Sequence, residues 1–418
     1  MRVFKFGGAS VKDAAAVKNV CSILTSYSGE KVLVVISAMA KTTNALEAVW
    51  KAYLNGDDHL YELVQVVHNF HFNMIDELFG ADGGKIKDEV SNVFVELDWI
   101  LEEEVQDSKN YLYDQIVSLG ELLSTKIVAA YMQYKGMNCA WADARAYIQT
   151  DNTYREGKVD WEKTRSFIQK ELPSILKEKI IITQGFIGCT SENFTTTLGR
   201  EGSDYTAAIF ANCLEAESVT IWKDVPGVLT ADPKLFPNAQ KLDHIPYAEA
   251  IEMTYYGASV IHPKTIKPLQ NKNIPLYVKD FSDPEQVGTC VGLKENVVFD
   301  KAIIIVKKEQ KLLSISTLDY SFIAEENMSE LFSIISKHGI KINTMQNSAM
   351  TFSCCIDNED KVEALIADVS KKYKVYYNDG LELVTIRHYN ENVIEEIVKG
   401  KVLLLEQRSR STIQLVLR

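Results

Sequence analysis

No Gly-x-Gly triplet occurs anywhere in the 418 residues. That absence removes both the dinucleotide-binding fingerprint and the glycine loop of protein kinases. A P-loop is missing too. Residues 80–86 come nearest, but they are one residue short and end in Ile86 where Ser or Thr is needed. There is no His-Glu-x-x-His and no His-Arg-Asp tract. The seven cysteines form no Cys-x-x-Cys, and only Cys354 and Cys355 are adjacent. An odd, scattered set fits a reducing compartment better than a disulfide framework, so a cytoplasmic protein is expected. The first residues, Met1-Arg2-Val3-Phe4-Lys5, run straight into glycines without a signal-like apolar stretch. Positive charge is also scarce: 45 Lys and Arg stand against 57 Asp and Glu, a formal charge of -12. This argues against a nucleic-acid partner, and the apolar runs, such as residues 32–36, are strand-sized rather than membrane-sized, so no membrane partner is expected. An anionic ligand must then be met by local cations, a divalent metal ion and backbone N–H groups.

What is present reads as a soluble globular chain, with 46% hydrophobic and 24% charged residues, long enough for two or three domains. Residues 3–6 form a short apolar run, Gly7-Gly8 break it, residues 11–24 carry helical periodicity, and residues 31–37 are a β-branched run. Strand, helix and strand in that order predict a right-handed unit with a parallel sheet buried on both faces. Residues 57–133 read as helical. Strands are expected again at 138–141, 179–183 and 218–222, with a helix over 204–214. The alternation predicts an α/β fold. Residues 279–296 read as a loop and a domain boundary. Beyond them the texture becomes α+β, with strands expected at 301–306, 311–316, 340–345, 350–356, 374–377, 381–387, 401–405 and 412–417. Helices are expected at 327–338 and 362–371.

Two stretches carry chemistry by residue type. Lys5-Phe6-Gly7-Gly8 ends the first strand, where ligands of open α/β sheets bind. The glycines permit close backbone approach to an anion, the following helix offers N–H groups, and Lys5 adds a point charge. An ordinary strand-to-helix turn accounts for the same tetrapeptide. The second stretch runs from Thr195 to Asp204 and clusters three threonines, Gly199, Arg200, Gly202, Ser203 and Asp204 before a helix. Ser203 or Asp204 can serve as an N-cap. An arginine on a glycine turn also suits a carboxylate or phosphate, and an aspartate can hold Mg²⁺ or orient a lysine. Glu121, in a helical run, reads on its own as solvated surface.

Six segments, residues 5–11, 37–44, 118–124, 182–188, 195–204 and 221–233, together resemble the aspartate kinases of the amino-acid kinase superfamily. The resemblance implies a mainly parallel sheet sandwiched by helices over residues 1–295. It implies a regulatory region of paired ACT modules over 300–418, the second module shortened because the sequence stops at Arg418 straight after a strand. It further implies transfer of the γ-phosphate of ATP, with Mg²⁺, to the β-carboxylate of aspartate. Lys5 and Asp204 correspond to the catalytic pair, with Asp204 also supporting the metal. Ser37, Thr43, Glu121, Arg200 and Ser203 correspond to the aspartate site, Arg200 taking the α-carboxylate and Glu121 the α-amino group. Lys5, Phe6, Gly7, Gly8, Lys223, Asp224, Leu229, Lys234, Ser259 and Val260 correspond to the ATP side.

Four positions depart from the family pattern. Ala9 stands for a usual Thr, Glu201 for a Gly, Leu229 for a frequent Tyr and Ser259 for a frequent Lys. A carboxylate at position 201 is expected to point away from the phosphates. In the tail, Asn343 occupies a position that is Asp in lysine-sensitive relatives. The resemblance therefore implies a homodimer through the ACT region, with lysine or threonine as effector and weak or altered feedback. The alternatives are another amino-acid kinase of the same fold and a catalytically inactive ACT sensor.

Overall fold

The computed structural model describes residues 1–105, 107–258, 261–292, 299, 301–319 and 321–418. The chain divides into two units. The first comprises Met1–Val228, Leu242–Ile251 and Val260–Glu295, and the second Leu229–Lys241, Glu252–Ser259 and Asn296–Arg418.

The first unit is built on ten strands: β1 (Arg2–Phe6), β2 (Val32–Ile36), β3 (Cys139–Ala142), β4 (Ile180–Gln184), β5 (Ile187–Cys189), β6 (Thr195–Thr197), β7 (Ser218–Lys223), β8 (His244–Pro246), β9 (Leu276–Asp280) and β10 (Thr289–Gly292). Eight of them form one sheet in the order β3-β4-β2-β1-β7-β9-β10-β8, and β5 pairs with β6 as a separate hairpin. Pairing is parallel from β3 through to β9, antiparallel between β9 and β10, and parallel again between β10 and β8. The β2 sequence Val-Leu-Val-Val-Ile is entirely buried, as a parallel strand covered on both faces must be. Central β1 lies between β2 and β7, with Lys5 opposite Val35 and Ile221. This puts Lys5 near the carboxyl edge of the sheet.

Two expectations for this unit change. The segment 279–296 is not all loop, since β9 runs to Asp280 and β10 occupies Thr289–Gly292. Buried Thr289 donates to the Leu242 carbonyl at 2.6 Å and accepts from the Val228 N–H at 2.8 Å. Four residues with such non-local partners carry little periodic signal. The helix expected at 11–24 is also divided. A 3₁₀ turn spans Gly8–Val11, and the α-helix Ala14–Thr25 starts beyond it, its N-terminus capped by Asp13 accepting from the Ala16 N–H at 2.8 Å. The N–H groups that follow Lys5 are therefore those of a tight turn.

The second unit holds a six-stranded sheet of β11 (Ile303–Ser316), β12 (Ile342–Asn347), β13 (Thr351–Asp357), β14 (Lys374–Arg387), β15 (Leu403–Arg408) and β16 (Thr412–Leu417), ordered β12-β13-β11-β14-β16-β15. Two pairs of expected short strands are each one 14-residue strand, β11 and β14. Register shifts around Gln310, with Glu309 at φ 52, bulge the ladder without breaking it. Helices Glu325–Lys337 and Val362–Val369 cover a core containing Leu313, Ile315, Phe352 and Ile356. A third helix, Glu391–Val398, was not anticipated. Its Asn390 cap accepts from the Val393 N–H at 3.0 Å, and Ile394 and Ile397 join the core of Val384, Ile386, Ile413 and Leu415. An Asn followed by apolar residues at helical spacing is the signal that marks it.

Candidate active site

The buried ion pair of Lys5 and Asp204 lies at the carboxyl edge of β1. Lys5 Nζ is 2.6 Å from Asp204 Oδ1, and Lys223 Nζ, from the last residue of β7, is 3.6 Å from Oδ2. Asp204 is fully buried in the first turn of the helix Gly202–Leu214. Burial opposes its charge, but the Lys5 and Lys223 ammonium groups outweigh this and hold the carboxyl below its ordinary range. The helix N-terminus favours the anion as well.

A cavity of about 830 Å³ opens over this pair, lined by Lys5, Ser37, Thr43, Glu121, Arg200, Ser203 and Asp204. These are all seven residues assigned from the sequence to catalysis or to aspartate. They come from β1, the loop after β2, three helices and the turn after β6, so only the fold assembles them. Phe6, Gly7, Gly8, Lys223 and Asp224 lie outside the lining. The Phe6 ring is buried and stacked on Trp222 at 5.8 Å, which leaves only its backbone for a ligand. Gly8 is required by the protein itself: a Cβ there would fall 2.8 Å from the Ala38 carbonyl oxygen and 2.9 Å from that of Ala40. Leu229 and Lys234 belong to the second unit. Ser259 and Val260 lie outside the described residues.

Glu121 is not surface. It is 2% exposed, its Oε1 accepts the Ala38 N–H at 3.3 Å, and its Oε2 is buried without a hydrogen-bond partner. Burial pushes its pKa up to about 8, despite the Ala38 N–H and the Lys5 charge. Gly120 makes room for this: a Cβ there would meet Ala38, Leu46 and Thr42 at 3.2 Å. A buried carboxyl with one open oxygen in a cavity is a receptor for a cationic group.

Glu201 corrects the expectation that it turns away. It lines the same cavity as Lys5 and Asp204. Burial first, then the Asp204 charge, raises its pKa. Its backbone stands in the left-handed region at φ 56, immediately before the helix start.

Sequence reading missed Asp114 and Arg155. Buried Asp114 accepts from the Arg155 N–H at 2.9 Å, the Thr197 N–H at 2.8 Å and Thr197 Oγ1 at 2.7 Å. Burial raises its pKa to about 6, against the pull of those donors. Asp114 lies in the helix Lys109–Val117 and Glu121 in the next, Leu119–Tyr134.

The turn after β4 sets the position of Ser203 and Asp204. Phe186, at φ 70, donates its N–H to Thr206 Oγ1 at 2.9 Å. A Cβ on Gly185 would lie 2.4 Å from Ser203 Cβ. Gly185→Ala must therefore push the helix start away from β1. Since a misplacement of about 1 Å costs about 10²-fold in rate, kcat is expected to fall by about that factor, with a lower Tm. Steady-state kinetics and a melt check it, and an unchanged kcat would remove the turn from the catalytic geometry.

The amino acid kinase family model matches residues 1–280. The lysine-sensitive aspartokinase 3 of Escherichia coli K12 is 32% identical over 393 residues, covering 92% of this chain and 86% of that one. The crystal structure of Escherichia coli aspartokinase III with aspartate and ADP is similar at a TM-score of 0.84 and 28% identity, covering 100% of this chain and 96% of that one. The same enzyme with lysine and aspartate also has a TM-score of 0.84, at 29% identity, covering 100% and 95%.

Proposed function

Since the chain belongs to the amino acid kinase family, and within it to the aspartokinases, we infer that Lys5, Asp204, Glu121 and Arg200 carry out its reaction in the cavity at the edge of β1. The protein is an aspartate kinase, phosphorylating aspartate from ATP in amino-acid biosynthesis. The observation that carries the residue assignment is one cavity with a Lys5–Asp204 pair and a buried Glu121 whose second oxygen is open.

The acceptor carboxylate has a pKa of about 4 and is ionised at neutral pH, so no group has to remove a proton from it. The difficulty is to bring two anions together in line and to spread charge on the moving phosphoryl group. Lys5 supplies a cation held in place by Asp204, which costs no reorganisation during transfer. Lys223 adds a second ammonium near the same carboxylate. Glu121 receives the α-ammonium and Arg200 the α-carboxylate, while Ser37, Thr43 and Ser203 supply hydroxyls. The acyl phosphate formed is prone to hydrolysis, so a recessed site serves the product.

Among the described residues no group of three or more His, Cys, Asp or Glu forms a ready metal cage. One buried carboxylate, Asp204, fits a Mg²⁺ that arrives with the nucleotide and is held largely by phosphate oxygens. Bound there, Mg²⁺ would neutralise the β- and γ-phosphate oxygens. On the ATP side Gly7 and Gly8 would offer backbone, with Lys223 and Asp224 as the charged groups.

The boundary at 295–300 would separate this catalytic domain from a regulatory ACT-type region at 300–418. Within that region the Asn343 amide is already engaged. It accepts from Lys307 Nζ at 2.7 Å and donates to Gln310 Oε1 at 2.8 Å and Asp357 Oδ1 at 3.0 Å. A neutral, internally bonded amide offers little to a cationic effector, which supports weak or altered control by lysine or threonine. Exposed Met345, Val402 and Leu403 on this unit support a homodimer through it. No helix among the described residues is long and apolar enough to cross a membrane. Seven free cysteines favour a cytoplasmic setting.

An ATP- and Mg²⁺-dependent hydroxamate assay against aspartate, glutamate and acetylglutamate tests the substrate. Turnover of aspartate alone is expected, with less than twofold inhibition by millimolar lysine, threonine or both. Turnover of another acceptor in its place would reject the assignment. Strong inhibition by lysine alone would reject the account of Asn343.

A further inference from the structure

Arg155 is a guanidinium of the cavity to which the reading above gives no task. It belongs to the turn 153–156 that lines the same cavity as Glu121 and Arg200. Its backbone sits at φ 69, a left-handed conformation unusual for arginine. Both oxygens of buried Asp114 hold it there, accepting its N–H at 2.9 and 3.1 Å. The same carboxylate grips Thr197, two residues before Gly199. A Cβ on Gly199 would lie 3.2 Å from the Arg155 carbonyl oxygen, so this turn packs directly beside the Arg200 loop. The guanidinium stands 4.1 Å from the Tyr113 ring centroid and 5.6 Å from that of Trp50. Tyr113 is fixed in turn by its hydroxyl, which donates to Glu47 at 2.6 Å.

A charged side chain at a cavity rim, stacked on an anchored ring and pinned through its own amide, is pre-organised. We propose that Arg155 is a specificity-determining residue of the aspartate pocket, a second guanidinium that binds the substrate α-carboxylate together with Arg200 and so selects a dicarboxylate. The inference rests on the reading of the cavity as the aspartate site. The reacting carboxylate has to face the phosphoryl group beside Lys5, which leaves the α-carboxylate for the rim. A carboxylate has four lone-pair sites and can accept from two guanidinium groups. The cavity also carries the acids Glu121, Glu156, Glu201 and Asp204. Lys5 is taken up by Asp204, so a single arginine would face the remaining acids together with the two negative charges of the substrate.

The test measures kinetics and binding for Arg155→Gln and Arg155→Gly, the latter chosen because glycine takes φ 69 without strain and keeps the turn folded. Both variants are expected to raise KM for aspartate at least tenfold, with KM for ATP and kcat within twofold of the parent. Isothermal titration with aspartate alone should show the same weakening. With aspartate α-amide as substrate, the penalty should shrink to less than threefold. An unchanged aspartate KM in Arg155→Gly overturns the proposal, as does a rise in ATP KM of equal size or an undiminished penalty with the α-amide. Those failures leave the aspartate-site reading intact, because that reading falls only if Lys5→Ala retains activity or the parent ignores aspartate.

Discussion

Lys5→Met is expected to lower kcat on the order of 10³-fold, with KM for aspartate changed only slightly. The ammonium sits 2.6 Å from Asp204, and methionine fills a similar volume without the charge. The same substitution should cost stability, about 3 kcal/mol, because it strands a buried carboxylate. Lys223 remains within 3.6 Å and keeps the loss near the lower end of that range. The double variant Lys5→Met, Asp204→Asn removes both charges, so its Tm should recover while its activity does not. That separation distinguishes a catalytic charge from a structural one. The pH dependence has a definite sign. Asp204 has a depressed pKa in the folded protein, so its stabilisation is present above the ordinary carboxylate value of about 4 and disappears as pH falls through the folded value. The Tm gap between parent and Lys5→Met should therefore narrow below about pH 4. Retained kcat in the single variant would exclude Lys5 from phosphoryl transfer.

Glu121→Gln should act in the opposite direction on stability. The parent carboxyl has a pKa of about 8, against an ordinary glutamate value of 4.5. The folded protein therefore holds a proton that the unfolded chain has already released. The resulting stabilisation is complete below the unfolded value and is lost as pH rises towards 8. Glutamine does not ionise, so the variant's Tm advantage should grow from pH 5 to pH 8. Its kcat/KM for aspartate should nonetheless fall about 10²-fold, because the α-ammonium loses a charged acceptor. The parent makes a matching prediction. Receiving an ammonium requires the ionised carboxylate, so aspartate binding at pH 7 should release a proton, and KM for aspartate should fall between pH 6.5 and 8.5. Titration calorimetry in buffers of different ionisation enthalpy reads that proton. A flat KM and no proton release would separate Glu121 from the substrate.

These two carboxyls illustrate how unevenly the site could be read from the chain. Asp204 stands in a cluster of glycine, arginine and hydroxyls, so its type and neighbours already suggested chemistry. Glu121 sits in a helical run where glutamate is ordinarily solvated, and only the packing of distant segments buries it. Glu201 was read with the wrong orientation. Charge repulsion alone argued for turning it outward, but the residue lines the same cavity as Asp204. Arg155 had no sequence signal, because a positive φ on arginine is imposed by Asp114, 41 residues away in the chain.

The opening tetrapeptide shows the same division. Legible in the chain alone were the strand that carries Lys5 and ends at Phe6, the two glycines after it, the parallel α/β architecture and the α+β tail. Those features rest on local periodicity, β-branched runs and residues that tolerate few conformations. Which groups face the cavity depends on the packing of distant segments. It turned Phe6 into core against Trp222, tied Gly8 to the Ala38 and Ala40 carbonyls, and divided the helix after them at Asp13. It also brought Lys5 to Asp204 across 199 positions of sequence, by placing both at the carboxyl edge of one sheet. Burial and electrostatic pairing arise between segments distant in the chain, and no local pattern encodes them.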